Sequence, residues 1–143
     1  MTKALKLIAF LILGLAAPTF MSCEQPPTVT ANPDITGNIA GSYNGNYIVN
    51  YENDPANNFS SQIILTVSRV DKKQIRMDAQ GGDSFECTLS GTSSNSALTN
   101  IINTSGVYQL ATDLEGYYIN GTLYYKVTGV SNGGNFSAEF TVI

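Results

Sequence analysis

IAGSYNGNYIVNY, residues 39–51, decides the fold class. Its odd positions are Ile39, Gly41, Tyr43, Gly45, Tyr47, Val49 and Tyr51; its even positions are Ala40, Ser42, Asn44, Asn46, Ile48 and Asn50. Successive residues of a strand face opposite sides, so the segment has one aromatic face and one mostly polar face. That is the pattern of a strand with one side buried.

Working outward, the same alternation recurs between turn signals. Ile63, Leu65 and Val67 alternate with Thr66 and Ser68, and Asp71-Lys72-Lys73 turns the chain into Ile75, Met77 and Ala79. Gly81-Gly82-Asp83 turns it again into Phe85, Cys87 and Leu89. Residues 97–103 and 107–112 are expected strands, the first less regular because Ile101 and Ile102 point to opposite faces. Tyr117 and Ile119 lead into Asn120-Gly121, a dipeptide suited to a type I′ hairpin because both positions tolerate positive φ. Leu123, Tyr125 and Val127 return, and Ser131-Asn132-Gly133-Gly134 makes the last turn into Phe136, Ala138, Phe140 and Val142. The expectation is an all-β, antiparallel domain of about eight strands at residues 39–143. Closing into an up-and-down barrel buries the apolar face and removes open edges; a β-sandwich is the alternative.

The chain begins with a different logic. Lys3 and Lys6 precede an uncharged apolar run from Leu7 to Ala17, which Pro18 ends. A spanning helix needs about 20 apolar residues, whereas a signal-peptide core needs roughly 7–15. Residues 1–22 are therefore expected to be a removable export signal. Phe20-Met21-Ser22-Cys23 resembles the lipobox of bacterial lipoproteins, in which the thiol of the cysteine is diacylated before cleavage. The resemblance implies lipidation of Cys23 and a membrane partner through that lipid; a free or disulfide-bonded Cys23 is the alternative. Residues 23–38, rich in Pro and small polar residues, are expected to form an extended tether. Glu24, directly after the cysteine, resembles acidic signals that send some lipoproteins to the cell surface. Outer-membrane localisation follows from the resemblance, on either the surface or the periplasmic face.

Charge and composition narrow the functions. Lys3 and Lys6 leave with the signal, so of seven Lys and Arg five remain against eleven Asp and Glu. Those five form no stripe, which argues against a nucleic-acid partner. Histidine is absent, which removes the commonest general base and the commonest transition-metal ligand. No Gly-x-Ser-x-Gly elbow or Ser-x-x-Lys motif occurs. Asp78 and Glu86 could meet across neighbouring strands, but a solvated charge pair is the simpler role. We expect no enzyme, no catalytic residue, no cofactor and no metal. Residues 52–58, Glu-Asn-Asp-Pro-Ala-Asn-Asn, are oxygen-rich but lack EF-hand spacing.

The Gly-x-Tyr-x-Gly-x-Tyr pattern of residues 41–47 and the stretch Gly121-Thr122-Leu123-Tyr124-Tyr125-Lys126-Val127 resemble the small lipocalin-like, calycin-type lipoprotein domains of diderm bacteria. The resemblance spans residues 36–143 and lies in strand count, order and glycine placement. Gly41-Ser42-Tyr43 stands where lipocalins carry Gly-x-Trp, since the chain has no Trp. It implies a small apolar or amphipathic ligand in the barrel, with Tyr43, Tyr47, Tyr117 and Tyr125 on the inner face as candidate ligand-binding residues. Tyr118 and Tyr124 are expected on the outside, where they could stack on sugars. A surface module for glycan or protein contact, or a structural envelope component, are the other readings. Cys87, between Phe85 and Leu89, is expected to be a buried apolar residue rather than a partner of Cys23.

The lipid assignment has a direct check. In cells fed a fatty-acid analogue, the wild-type protein takes up label and sediments with membranes. Cys23→Ala is expected to lose both, because fewer than two acyl chains do not hold a protein stably.

Overall fold

A computed structural model describes residues 33–143; the expected signal peptide, Cys23 and most of the tether lie outside the described residues. The eight strands are β1 (Gly41–Tyr51), β2 (Phe59–Asp71), β3 (Gln74–Ala79), β4 (Ser84–Gly91), β5 (Asn95–Ser105), β6 (Ala111–Ile119), β7 (Thr122–Ser131) and β8 (Gly134–Val142). Each pairs antiparallel with its sequence neighbour, and β8 closes on β1, so the sheet is an up-and-down barrel and not a sandwich. This is the lipocalin-like architecture.

Alternation does what the sequence dictates. Tyr47 and Val49 of β1, Ile63, Leu65 and Val67 of β2, and Phe85, Cys87 and Leu89 of β4 all point inward and are buried. Between them the side chains of Asn46, Ile48, Ile64 and Thr66 face out. An eight-stranded barrel is just wide enough for side chains to fill it. Here aromatic rings do so: Phe85 lies 4.7 Å from Tyr108 and 5.2 Å from Tyr125 between centroids, both edge-on. Tyr125 in turn stacks on Phe140 at 5.7 Å. Gly45 makes room for that ring, since a Cβ there would stand 2.4 Å from Cζ of Phe140.

Both ends of the barrel are plugged. At one end residues 34–40 fold across the opening, with Ile35, Thr36 and Ile39 buried. The packed domain thus takes in residues that the sequence assigns to the tether. Their backbone is satisfied locally: the Ile35 N–H donates to the carbonyl of Lys72, and those of Ile39 and Ala40 to the carbonyl of Thr36. Asp34 accepts from both the N–H and the hydroxyl of Thr36, and Arg69 approaches its other oxygen at 2.8 Å. Those hydrogen bonds, with Arg69 and Lys72 nearby, hold the Asp34 carboxyl below its ordinary range.

At the other end the expected strand at 107–112 is not one. Residues Gly106–Leu110 form a 3-10 helix, and β6 starts only at Ala111. Aromatic and β-branched residues favour strands, but burial of the Tyr108 ring overrides that preference. Gly106 starts the helix at φ +60°, and a Cβ there would stand 1.8 Å from Oδ1 of Asp83. That oxygen accepts the Val107 N–H at 3.1 Å.

The Phe85 ring touches both the 3-10 helix and the sheet, so Phe85→Ala is expected to cost about 3–5 kcal/mol, as large core truncations do. Denaturant unfolding should show a lower midpoint at an unchanged slope.

Candidate functional site

The four inner-face tyrosines proposed from sequence are not brought together around an opening. Tyr125 is completely buried, its hydroxyl bonded to that of Tyr108. Tyr47 is 3% exposed and reaches Oδ2 of Asp83 at 3.5 Å. Tyr43 is half-buried near the opposite end and donates to the carbonyl of Ile39 at 2.6 Å. Tyr117 does not face inward: it is 42% exposed, and its neighbour Tyr118 is the buried one. The cause is the Asn120-Gly121 turn, which sets Ile119 opposite Thr122 and Tyr118 opposite Leu123. Directly opposed residues share a face. Since Leu123 is buried, Tyr118 must be too, and its hydroxyl donates to the carbonyl of Asn38 in the end plug.

Two groups beside the inner tyrosines escaped sequence reasoning: the buried Tyr108, hidden in an expected strand, and the half-buried Asp83, in an expected turn. The phenols of Tyr47, Tyr108 and Tyr125 join Thr36, Ser84 and Ser96 as the buried polar groups, with no unsatisfied buried side-chain atom among the described residues. Burial pushes the phenols of Tyr47, Tyr108 and Tyr125 well up from their ordinary value. It pushes Tyr43 up to about 12 and the buried thiol of Cys87 likewise to about 12. Cys87 is a free, buried core residue, as its spacing predicts.

The outer wall carries what the interior does not. Tyr117 and Tyr124 face each other across β6 and β7, their ring centroids 5.3 Å apart. The outer-face pair is thus the exposed Tyr117 with the half-buried Tyr124, in place of the Tyr118 and Tyr124 expected. Beside them Lys126 stands opposite Glu115 on one side and Glu139 on the other. Further along the same wall a groove of about 640 Å³ opens over β7, β8 and β1. Tyr51, Pro55 and Val130 give it an apolar border, while Asn50, Lys126, Thr128 and Ser137 offer amide, ammonium and hydroxyl groups.

The other charged candidates serve structure. Arg76 lies between Asp78 and Glu86, 2.9 Å from the first carboxylate and 3.6 Å from the second, so the two acids do not form a pair of their own. In the loop at 52–58, Glu52 accepts from the Asn135 N–H and Asn58 from the Tyr51 N–H. Those oxygens tie the hairpins together, and among the described residues no cluster of three metal-ligating side chains occurs. No protein-family model, curated protein or solved structure matches the chain.

The buried phenols set an alkaline limit. Their folded values lie above the unfolded value of about 10, so the unfolded chain loses these protons first. The phenol contribution is intact below about pH 10 and falls above it, by about 1.4 kcal/mol per pH unit for each phenol still held neutral, after the buried Cys87 thiol, raised from 9.0, has begun the decline about one pH unit earlier. Tyrosinate absorbance from these residues should therefore rise together with loss of β-sheet circular dichroism. Tyr125→Phe should make the decline shallower.

Proposed function

We propose that the protein is a non-catalytic outer-membrane lipoprotein, anchored through Cys23, that takes its ligand on the outer wall of the barrel. The observation that carries this reading is the contact of Phe85, Tyr108, Tyr125 and Phe140 inside the barrel, beneath plugs at both ends. A lipocalin-type ligand would have to displace those rings and leave the Tyr108–Tyr125 hydrogen bond unmade. The groove on the wall needs no such rearrangement. Recognition there falls to a few polar groups beside an aromatic surface, the usual make-up of a ligand site.

Its chemistry favours a neutral, hydroxyl-rich ligand. Lys126 and Glu52 balance in charge, and the remaining polar lining is amide and hydroxyl. Such groups pair with sugar hydroxyls, while Tyr51 offers a ring edge to the apolar side of a pyranose. A glycan of the envelope or of the surroundings of the cell fits these demands. A lipid anchor would hold the wall within reach of it.

Calorimetric titration of the lipidated protein in detergent with neutral oligosaccharides tests the proposal. Asn50→Ala and Lys126→Ala are each expected to weaken binding by about 1 kcal/mol, the usual worth of a hydrogen bond, without altering the fold. An apolar molecule retained in native mass spectra of protein purified from its own cells, with no saccharide binding, would return the ligand to the interior.

A further inference from the structure

Charge is sorted along the barrel axis. Residues 33–143 hold five bases and ten acids. Two of the bases stand on the middle of the wall, each between two carboxylates: Arg76 between Asp78 and Glu86, and Lys126 opposite Glu115 and Glu139. The other three, Arg69, Lys72 and Lys73, gather at the turn from β2 to β3, with Asp34 and Asp71 beside them. That turn lies at the end closed by residues 34–40, where β1 begins and β2 ends. Among the described residues the opposite end has no base. Its turns carry Glu52, Asp54 and Asp83, and Asp113 stands near the start of β6. Three bases against two acids give +1 at the first end, two against four give −2 on the wall, and four acids alone give −4 at the far end.

The basic end is also the end at which the chain arrives from Cys23. The Ile35 N–H fixes the arriving segment to the carbonyl of Lys72, so plug and basic turn are held side by side. Ten residues stand between Cys23 and Asp34. Their reach is at most about 40 Å, at roughly 3.3–3.6 Å per residue. The eleven-residue β1 has a comparable length. A lipid on Cys23 therefore limits the height of the barrel above a membrane without choosing which end faces it. Exposed apolar side chains do not choose either, since Val70 and Ile119 lie at one end and Phe59 and Val130 at the other. Charge does.

We propose that the end bearing Arg69, Lys72 and Lys73 docks on anionic lipid headgroups, so that the barrel stands with its acidic end away from the membrane. The docking rests on lipidation of Cys23, because a surplus of one positive charge is too small to hold a free protein on a bilayer. The acyl chains supply the affinity, and the difference between the two ends sets the orientation. A base within a Debye length of an anionic surface favours that placement about fivefold, whereas the four carboxylates of the far end are repelled. Lys72 and Lys73 suit the task. Both are exposed, neither ammonium forms a salt bridge among the described residues, and it is their backbone carbonyls that Ile35 and Leu89 bond. Tyr51, Glu52, Pro55, Val130 and Asn135 of the wall groove belong to the acidic end. Docking therefore turns the groove away from the lipid and toward the surroundings.

The test uses the full lipidated chain in vesicles, with a fluorophore on one introduced cysteine. Ser94→Cys places it in the turn from β4 to β5 at the basic end, and Ala56→Cys in the turn from β1 to β2 at the acidic end; both positions are exposed. Cys87 is buried and Cys23 acylated, so neither takes the label. A nitroxide carried on lipid headgroups quenches whichever label lies near the surface. In vesicles rich in phosphatidylglycerol, quenching at position 94 should exceed that at position 56 about fivefold or more. In phosphatidylcholine alone, or at high salt, the two should approach each other. Lys72→Gln combined with Lys73→Gln should remove the preference and leave the melting temperature unchanged. Equal quenching at the two positions in phosphatidylglycerol overturns the proposal, and so does a preference that survives both high salt and the double substitution. Sedimentation with phosphatidylcholine vesicles reports the anchor separately. A chain that stays in solution there has no lipid, and the docking falls with the reading of Cys23; a chain that sediments with equal quenching keeps its anchor and loses only the orientation.

Discussion

The packing of Tyr108 against Phe85 and Tyr125 is the contact on which the rest of the molecule depends. Tyr108 does not come from a strand. It enters the barrel from a 3-10 helix, so the chain between β5 and β6 must leave the wall, dive inward and return. A tight hairpin cannot do that. The long connection plugs one end of the barrel and fills the interior with an aromatic ring, and the ladder between β5 and β6 stops after three pairs. Plug and filled core are two consequences of one buried side chain. The buried hydroxyl is tolerable because Tyr125 meets it. An unpaired phenol in that position would cost a few kcal/mol.

The opposite end is closed by a different device with the same effect. The segment before β1 brings Ile35 and Ile39 over the core, and Tyr118 and Tyr43 reach up to hold its carbonyls. Each tyrosine thus places its ring in the apolar interior and its hydroxyl at the polar backbone of the plug, the arrangement that suits an amphipathic ring. With both ends closed, Tyr47 and Tyr125 lie packed within the interior. On the reading proposed above, the wall is the surface left for recognition.

Much of this was legible in the sequence, for reasons that can be assigned to particular residues. The alternation of residues 39–51 put Tyr47 and Val49 inside, and the turns at Asp71-Lys72-Lys73, Gly81-Gly82-Asp83 and Asn120-Gly121 marked real reversals. The wrong face of β6 was legible too. A two-residue turn opposes Tyr118 to Leu123, so the regular face of β7 should have fixed that of β6. The double Tyr117-Tyr118 hid this, since either ring suits a core. The bulges of β5 opposite β4 were not legible: Asn100 and Asn103 look like any polar residue of an outer face, and only pairing with the shorter β4 shows that they are surplus. Ile35 and Thr36 looked like tether because they follow prolines and show no alternation; what recruits them is tertiary, the Ile35 N–H donating to the carbonyl of Lys72 while its side chain joins the core. Tyr108 was read as strand because local preference knows nothing of a vacant place beside Phe85.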